Sequence, residues 1–130
     1  MKIIIDSSVL IDFTRDNTGN FAELLDLFKQ GKTFLLVPTV VISELWAGES
    51  MENKKEELLV TKMLDKLTKI DLNEQIAKTA GRLMRRSQVS NAFDSVIAAT
   101  ALECGAQLAT RNIKHFAGVK GIKIFGLQKS

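Results

Sequence analysis

Three carboxylates in this 130-residue chain stand where carboxylates are unusual. Asp6 closes the apolar run Ile3-Ile4-Ile5, which places it at the rim of a buried strand beside Ser7 and Ser8. It can serve there as a ligand or as a helix N-cap, since Asp and Ser both cap well. Glu44 is the only charge in Val40-Val41-Ile42-Ser43-Glu44-Leu45-Trp46-Ala47. A helix so apolar has little solvent face, and a buried carboxylate must be paired or bound to metal; an exposed face or a partner arginine is the plainer alternative. Asp94 sits at the start of the apolar segment Phe93–Cys104. It gains from the helix macrodipole there and can point out of the helix, or simply cap it.

Acids this far apart in sequence make no EF-hand loop, so only the fold can bring them together. Clustered carboxylates repel one another, and a hard divalent cation neutralises that repulsion. Such an ion keeps several waters, lowers the pKa of one, and stabilises the oxygens of an in-line phosphoryl displacement. Phosphodiester hydrolysis is the chemistry that suits the set. The sequence holds no Walker loop, GxGxxG, CxxC or HExxH, which removes the main nucleotide, redox and zinc alternatives.

The elements that must position these acids alternate along the chain. Lys2–Asp6, Thr33–Val37 and Gln107–Thr110 read as apolar strands, while Thr68–Leu72 and Ile122–Phe125 alternate as edge strands do. Helices are predicted over Ser7–Arg15, Asn20–Gln30 (Phe21, Leu24, Leu25 and Phe28 inward), Thr39–Ala47, Asn53–Leu67, Asn73–Ser87 and Phe93–Cys104, the last closed by Gly105. The chain therefore reads as one α/β domain over residues 1–130: a five-stranded, mostly parallel sheet of order 3-2-1-4-5 flanked by helices. Strands 1 and 4 meet where the winding reverses, and ligands of such sheets bind beyond the carboxyl ends of the strands at that point. Asp6 and Thr110-Arg111-Asn112 fall there.

Four segments in succession resemble the motifs of PIN-domain proteins: Ile4-Ile5-Asp6-Ser7-Ser8-Val9-Leu10-Ile11-Asp12, Ile42-Ser43-Glu44-Leu45, Phe93-Asp94-Ser95-Val96-Ile97-Ala98-Ala99-Thr100-Ala101 and Leu108-Ala109-Thr110-Arg111-Asn112-Ile113-Lys114-His115-Phe116. They are most similar to those of the VapC-type toxins of prokaryotic toxin–antitoxin pairs. The resemblance spans essentially the whole chain, and its weight lies in the ordered set. It implies a Mg²⁺- or Mn²⁺-dependent endoribonuclease that cleaves RNA, acts as a homodimer and is silenced by a VapB-type antitoxin. It carries Asp6 and Asp94 over as metal ligands, Glu44 as the third active-site acid, and Ser8 and Thr110 as hydroxyls near the site. The sequence departs where many members place a fourth acid, at Asn112 or His115. Asn112 can hydrogen-bond a water but adds no charge, which favours one metal ion over two. His115 is a general base, or a cap or packing residue after strand 4. A non-catalytic PIN-like module that binds RNA or protein is the competing reading. A phospho-receiver would need an acceptor Asp at the end of its middle strand, which Thr68–Leu72 and its neighbours do not supply.

Charge is unevenly placed. Residues 1–77 carry 9 Lys/Arg and 13 Asp/Glu, whereas residues 78–130 carry 9 Lys/Arg and 2 acids, for a net charge of +3. Cations that hold phosphates beside carboxylates that hold metal suit a nuclease, though solvated charges also segregate by chance. Arg82, Arg85, Arg86 and Arg111 are candidate phosphate contacts or plain surface charges. Asp12 reads as a surface residue, and Trp46 as a core residue or the lining of an apolar groove for an antitoxin peptide. The single cysteine, Cys104, forms no internal bridge and points to a reducing, cytoplasmic setting. No apolar run approaches the ~18 residues that a membrane span needs.

Overall fold

The computed structural model describes residues 1–16 and 21–126. Four parallel strands, β1 (Lys2–Ile5), β2 (Phe34–Pro38), β3 (Thr68–Ile70) and β4 (Gln107–Ala109), form one sheet in the order β3-β2-β1-β4. The chain between them folds as α1 (Ser7–Asp16), α2 (Phe21–Lys29), α3 (Thr39–Trp46), α4 (Lys54–Leu64), α5 (Glu74–Arg85), α6 (Ala92–Cys104) and α7 (Ile113–Phe116). Each predicted helix is present to within a few residues at its ends; the expected start of α2 at Asn20 lies outside the described residues. A 3-10 turn at Glu49–Glu52 and the single turn α7 add to the expected set.

Past the exposed Lys2 that opens β1, the central strands carry no charge because they have no solvent face. Ile3, Ile4, Ile5, Leu35 and Val37 are essentially fully buried, each stabilising the fold by about 1.5–3 kcal/mol. Helix α6 is buried on nearly every side, and its two buried hydroxyls turn back on their own helix: Ser95 Oγ donates to Ala92 O and Thr100 Oγ1 to Val96 O, both at 2.7 Å. Gly105 ends α6 in the left-handed region (φ 62°), where a Cβ would be strained. Phe28 corrects the inward stripe of α2: it is exposed, while Phe21 and Leu24 are buried and Phe21 meets Phe13 edge-on at 5.1 Å.

The expected fifth strand, Ile122–Phe125, is reduced to a single parallel bridge between Ile124 and Leu108. The cause is the length of its neighbour. In a three-residue parallel strand only the middle residue turns both backbone groups outward. Leu108 donates to Lys123 O and accepts from Phe125 N–H, both at 2.8 Å, whereas β4's register with β1 commits its other side. The strand order otherwise stands as read, and β1 and β4 lie adjacent at the reversal of winding.

Candidate active site

Beyond Ile5 the chain keeps to the sheet for one more residue, as Asp6 N–H donates to Ala109 O at 3.0 Å before α1 begins. This holds the Asp6 side chain at the rim, only 2% exposed. Its Oδ1 accepts the Ser7 N–H (2.9 Å), and its Oδ2 accepts the hydroxyls of Ser8 (2.9 Å) and Thr110 (2.7 Å). A helix cap would take the second or third N–H of the helix; this carboxylate is instead fixed by hydroxyls from the first turn of α1 and from the end of β4. Those hydroxyls are held in turn: Ser8 Oγ accepts the Arg111 N–H (3.0 Å), and Thr110 Oγ1 accepts the Asn112 N–H (2.9 Å). The hydroxyl protons are thus committed to Asp6.

Helix α3 packs against both α1 and α6, which brings Glu44 to the same rim. Glu44 is half-buried, and its Oε1 is fully buried with no hydrogen-bond partner. Its pKa is pushed up to about 7, first by burial and then by the charges of Asp6 and Asp94, with the Ser7 hydroxyl opposing. Asp94 enters from α6. The cap of that helix is Asn91, whose Oδ1 accepts the N–H groups of Phe93 (2.8 Å) and Asp94 (3.1 Å), so Asp94 is released from capping. Its Oδ2 meets His115 Nδ1 at 3.0 Å. Burial and the charge of Asp6 raise the Asp94 pKa, while His115 pulls it back.

The three acids therefore share one electrostatic environment at the end of β1. They do not close on a common point: among the described residues, no three His, Cys, Asp or Glu side chains form a ready ligand cluster. Asn112 contributes its backbone N–H; its side chain is exposed and makes no hydrogen bond to the described residues. The Arg111 guanidinium pairs with Asp12 at 2.7 Å, both partly exposed, which gives Asp12 a partner the sequence did not suggest. Trp46 is exposed and belongs to no core.

Two residues were under-read. His115 is neither a cap nor a packing residue, and its partner lies 21 positions away, which no local pattern reveals. Asn91 could have been found, because an Asn three residues before Asp94 and just ahead of an apolar run is a helix-start signature. Two hollows flank the acids. One, about 630 Å³, runs between α1, α3 and α4 from Glu44 to Met51 and Val60. The other, about 420 Å³, lies beside Asp94 and His115.

The family model of the PIN domain matches residues 3–121. The chain belongs to the PIN-domain family. Its sequence is 33% identical over 125 residues to Ribonuclease VapC10 of Mycobacterium tuberculosis, covering 93% of this chain and 90% of that protein. Ribonuclease VapC19 of the same organism is 31% identical over 125 residues, covering 87% and 90%. The fold is that of a chain in the crystal structure of VapBC2 from Rickettsia felis bound to a promoter DNA fragment, with a TM-score of 0.83 at 19% identity over 96% of this chain and 98% of that one.

Proposed function

We propose that this chain is a VapC-type endoribonuclease, the toxin of a toxin–antitoxin pair, whose Asp6, Glu44 and Asp94 hold one Mg²⁺ or Mn²⁺ ion. The observation that carries the reading is Glu44 Oε1, a buried carboxylate oxygen with no partner, whose charge is opposed by the nearby charges of Asp6 and Asp94. An anionic oxygen in that position is costly unless a cation meets it. Three hard oxygen donors with solvent at hand suit Mg²⁺ or Mn²⁺ better than softer metals. When bound, the ion would polarise the scissile phosphate and favour deprotonation of a nearby water.

The remaining roles belong to side chains. Ser8 and Thr110 keep Asp6 in one orientation through hydrogen bonds to its Oδ2. His115 positions Asp94. Asn112, with its side chain unengaged, is the group free to orient the attacking water at the fourth corner, a role its amide can fill without adding charge. Arg111, steadied by Asp12, stands at the rim where an RNA backbone would pass.

The relatives' names bear on partners as well. The hollow from Glu44 to Val60 combines apolar residues (Ile11, Leu45, Met51, Val60) with Glu44, Glu49 and Glu56. It suits an antitoxin segment with apolar anchors and a basic side chain that reaches Glu44 and takes the place of the metal. We assign the active form to a homodimer working in the cytoplasm. No helix among the described residues is long and apolar enough to cross a membrane.

Expression in a bacterial host tests the toxin role. Wild-type chain produced without a partner should slow growth and fragment cellular RNA, and Asp6→Asn should relieve both. Equal tolerance of the two proteins at equal abundance would remove the toxin assignment.

A further inference from the structure

The hollow beside Asp94 is built more carefully than a surface crevice needs to be. Its outer wall is the loop 86–91, which is pinned at three places. Ser87 takes a left-handed conformation (φ 56°), rare for a residue with a Cβ, and Gln88 N–H returns to Leu83 O at 2.9 Å to close α5. Gln88 Oε1 accepts the Lys120 N–H at 3.1 Å, tying the loop to the turn after α7. Gly118 lies so close that a Cβ there would stand 3.1 Å from Gln88 O. The wall is rigid before any ligand arrives, which lowers the ordering cost of binding.

The same bonds decide what the wall presents. Asn91 Oδ1 is used by the two N–H groups of α6, and Gln88 Oε1 by Lys120. Both amides must therefore turn their NH₂ groups away from those bonds. With the Ser90 hydroxyl and the Lys114 ammonium, these amides give the cavity lining four groups able to donate hydrogen bonds. Its one acid, Asp94, is already met by His115. A donor-rich cavity takes a ligand rich in acceptors. The imidazole of His115 adds a flat surface at the wall. The volume, about 420 Å³, falls in the range of about 300–1,000 Å³ typical of small-ligand pockets.

We infer that this cavity is a subsite for one nucleotide of the RNA substrate, the one adjoining the phosphate that is cut, with Gln88, Asn91 and Lys114 selecting it. The inference rests on the nuclease reading for its position and on the wall chemistry for its ligand. A nucleobase displays ring nitrogens and carbonyls to the amide NH₂ groups, and its phosphate lies within reach of Lys114. Single-stranded RNA is read in this way, by splayed bases that stack and hydrogen-bond in a protein pocket.

Amide NMR on the metal-free protein tests it, with each of the four nucleoside 5′-monophosphates and inorganic phosphate as probes. Saturable shifts should fall on Ser87–Asn91, Lys114 and His115 and be larger for one base than for the others. Asn91→Asp keeps the helix cap, since Asp caps as well as Asn, but replaces the donor by a repelling oxygen. It should weaken nucleotide binding about tenfold or more, the scale of one lost hydrogen bond plus repulsion. Gln88→Glu keeps the Lys120 bond and should act in the same direction. In RNA cleavage both variants should raise KM more than they lower kcat. Unmoved pocket amides, unchanged binding in Asn91→Asp, or equal shifts from inorganic phosphate alone would each overturn the subsite. Saturable nucleotide binding by a protein that cuts no RNA in Mn²⁺ would instead overturn the nuclease reading and leave the pocket standing.

Discussion

Glu44 should make the metal-free protein lose stability as the solution becomes alkaline, and Glu44→Gln should abolish that loss. The folded-state pKa of Glu44 is pushed up to about 7 from the ordinary 4.5. A raised carboxyl pKa means that the folded protein binds the proton more tightly than the unfolded chain. The resulting stabilisation is fully present below about pH 4.5 and is lost as pH rises through about 7. At about 1.4 kcal/mol for each tenfold change in proton affinity, the shift corresponds to about 3 kcal/mol. Glu44 is only half-buried, and solvent screening reduces that figure to about 1–2 kcal/mol. Gln has the same shape and never ionises. Asp94 is also raised, first by burial and then by the charge of Asp6. Because it repels Glu44, the loss of the Glu44 charge eases its ionisation too, which adds to the difference in the same direction. Urea unfolding in EDTA should therefore give nearly equal stabilities at about pH 4 and a variant more stable by about 1–2 kcal/mol at about pH 8.5, or about 3–8 °C in Tm. Mn²⁺ should reverse the order at pH 8.5, because it binds the folded wild type more tightly. A difference between the two proteins that is the same at both pH values would refute the reasoning.

Thr110→Val should remove one hydrogen bond from Asp6 and leave the Asn112 N–H without its acceptor, at a cost of about 1–3 kcal/mol by denaturant melts. Its loss of RNA cleavage should exceed what that instability explains at 20 °C; full activity would deny Thr110 a part in holding Asp6. Asn112→Asp should tighten Mn²⁺ binding in isothermal titration while Asn112→Ala leaves it near the wild-type value; identical affinities in all three would place Asn112 outside the metal's surroundings.

Much of the fold was legible because burial leaves a plain mark on sequence. Ile3–Ile5, Leu35–Val37 and the stripe of α6 are apolar because no water reaches them, and the strand order followed from which strands alternate. The reduction of Ile122–Phe125 to one bridge was not legible, since it depends on the length of β4 rather than on its own residues. Phe28 shows the same limit: helical spacing says which residues share a face but not how far the core extends beneath it. In the candidate site, the positions of Asp6, Glu44 and Asp94 could be read because each breaks an apolar run. Their partners could not. Thr110 with Asp6, Arg111 with Asp12 and His115 with Asp94 each join segments far apart in the chain, and a polar residue's type does not say which of many distant groups it will meet.

On the proposed reading, the three acids at the end of β1 hold a divalent ion that serves to cut RNA. The most direct measurement is cleavage of purified RNA by purified protein with Mn²⁺, with Mn²⁺ plus excess EDTA, and with Asp6→Asn and Asp94→Asn, each variant checked by circular dichroism for an intact fold. Internal cuts by the wild type in Mn²⁺, none in EDTA, and a loss of about 100-fold or more in each variant are predicted, the scale of removing a group that stabilises the transition state. Cleavage that persists in EDTA, or full activity in either folded variant, would contradict it.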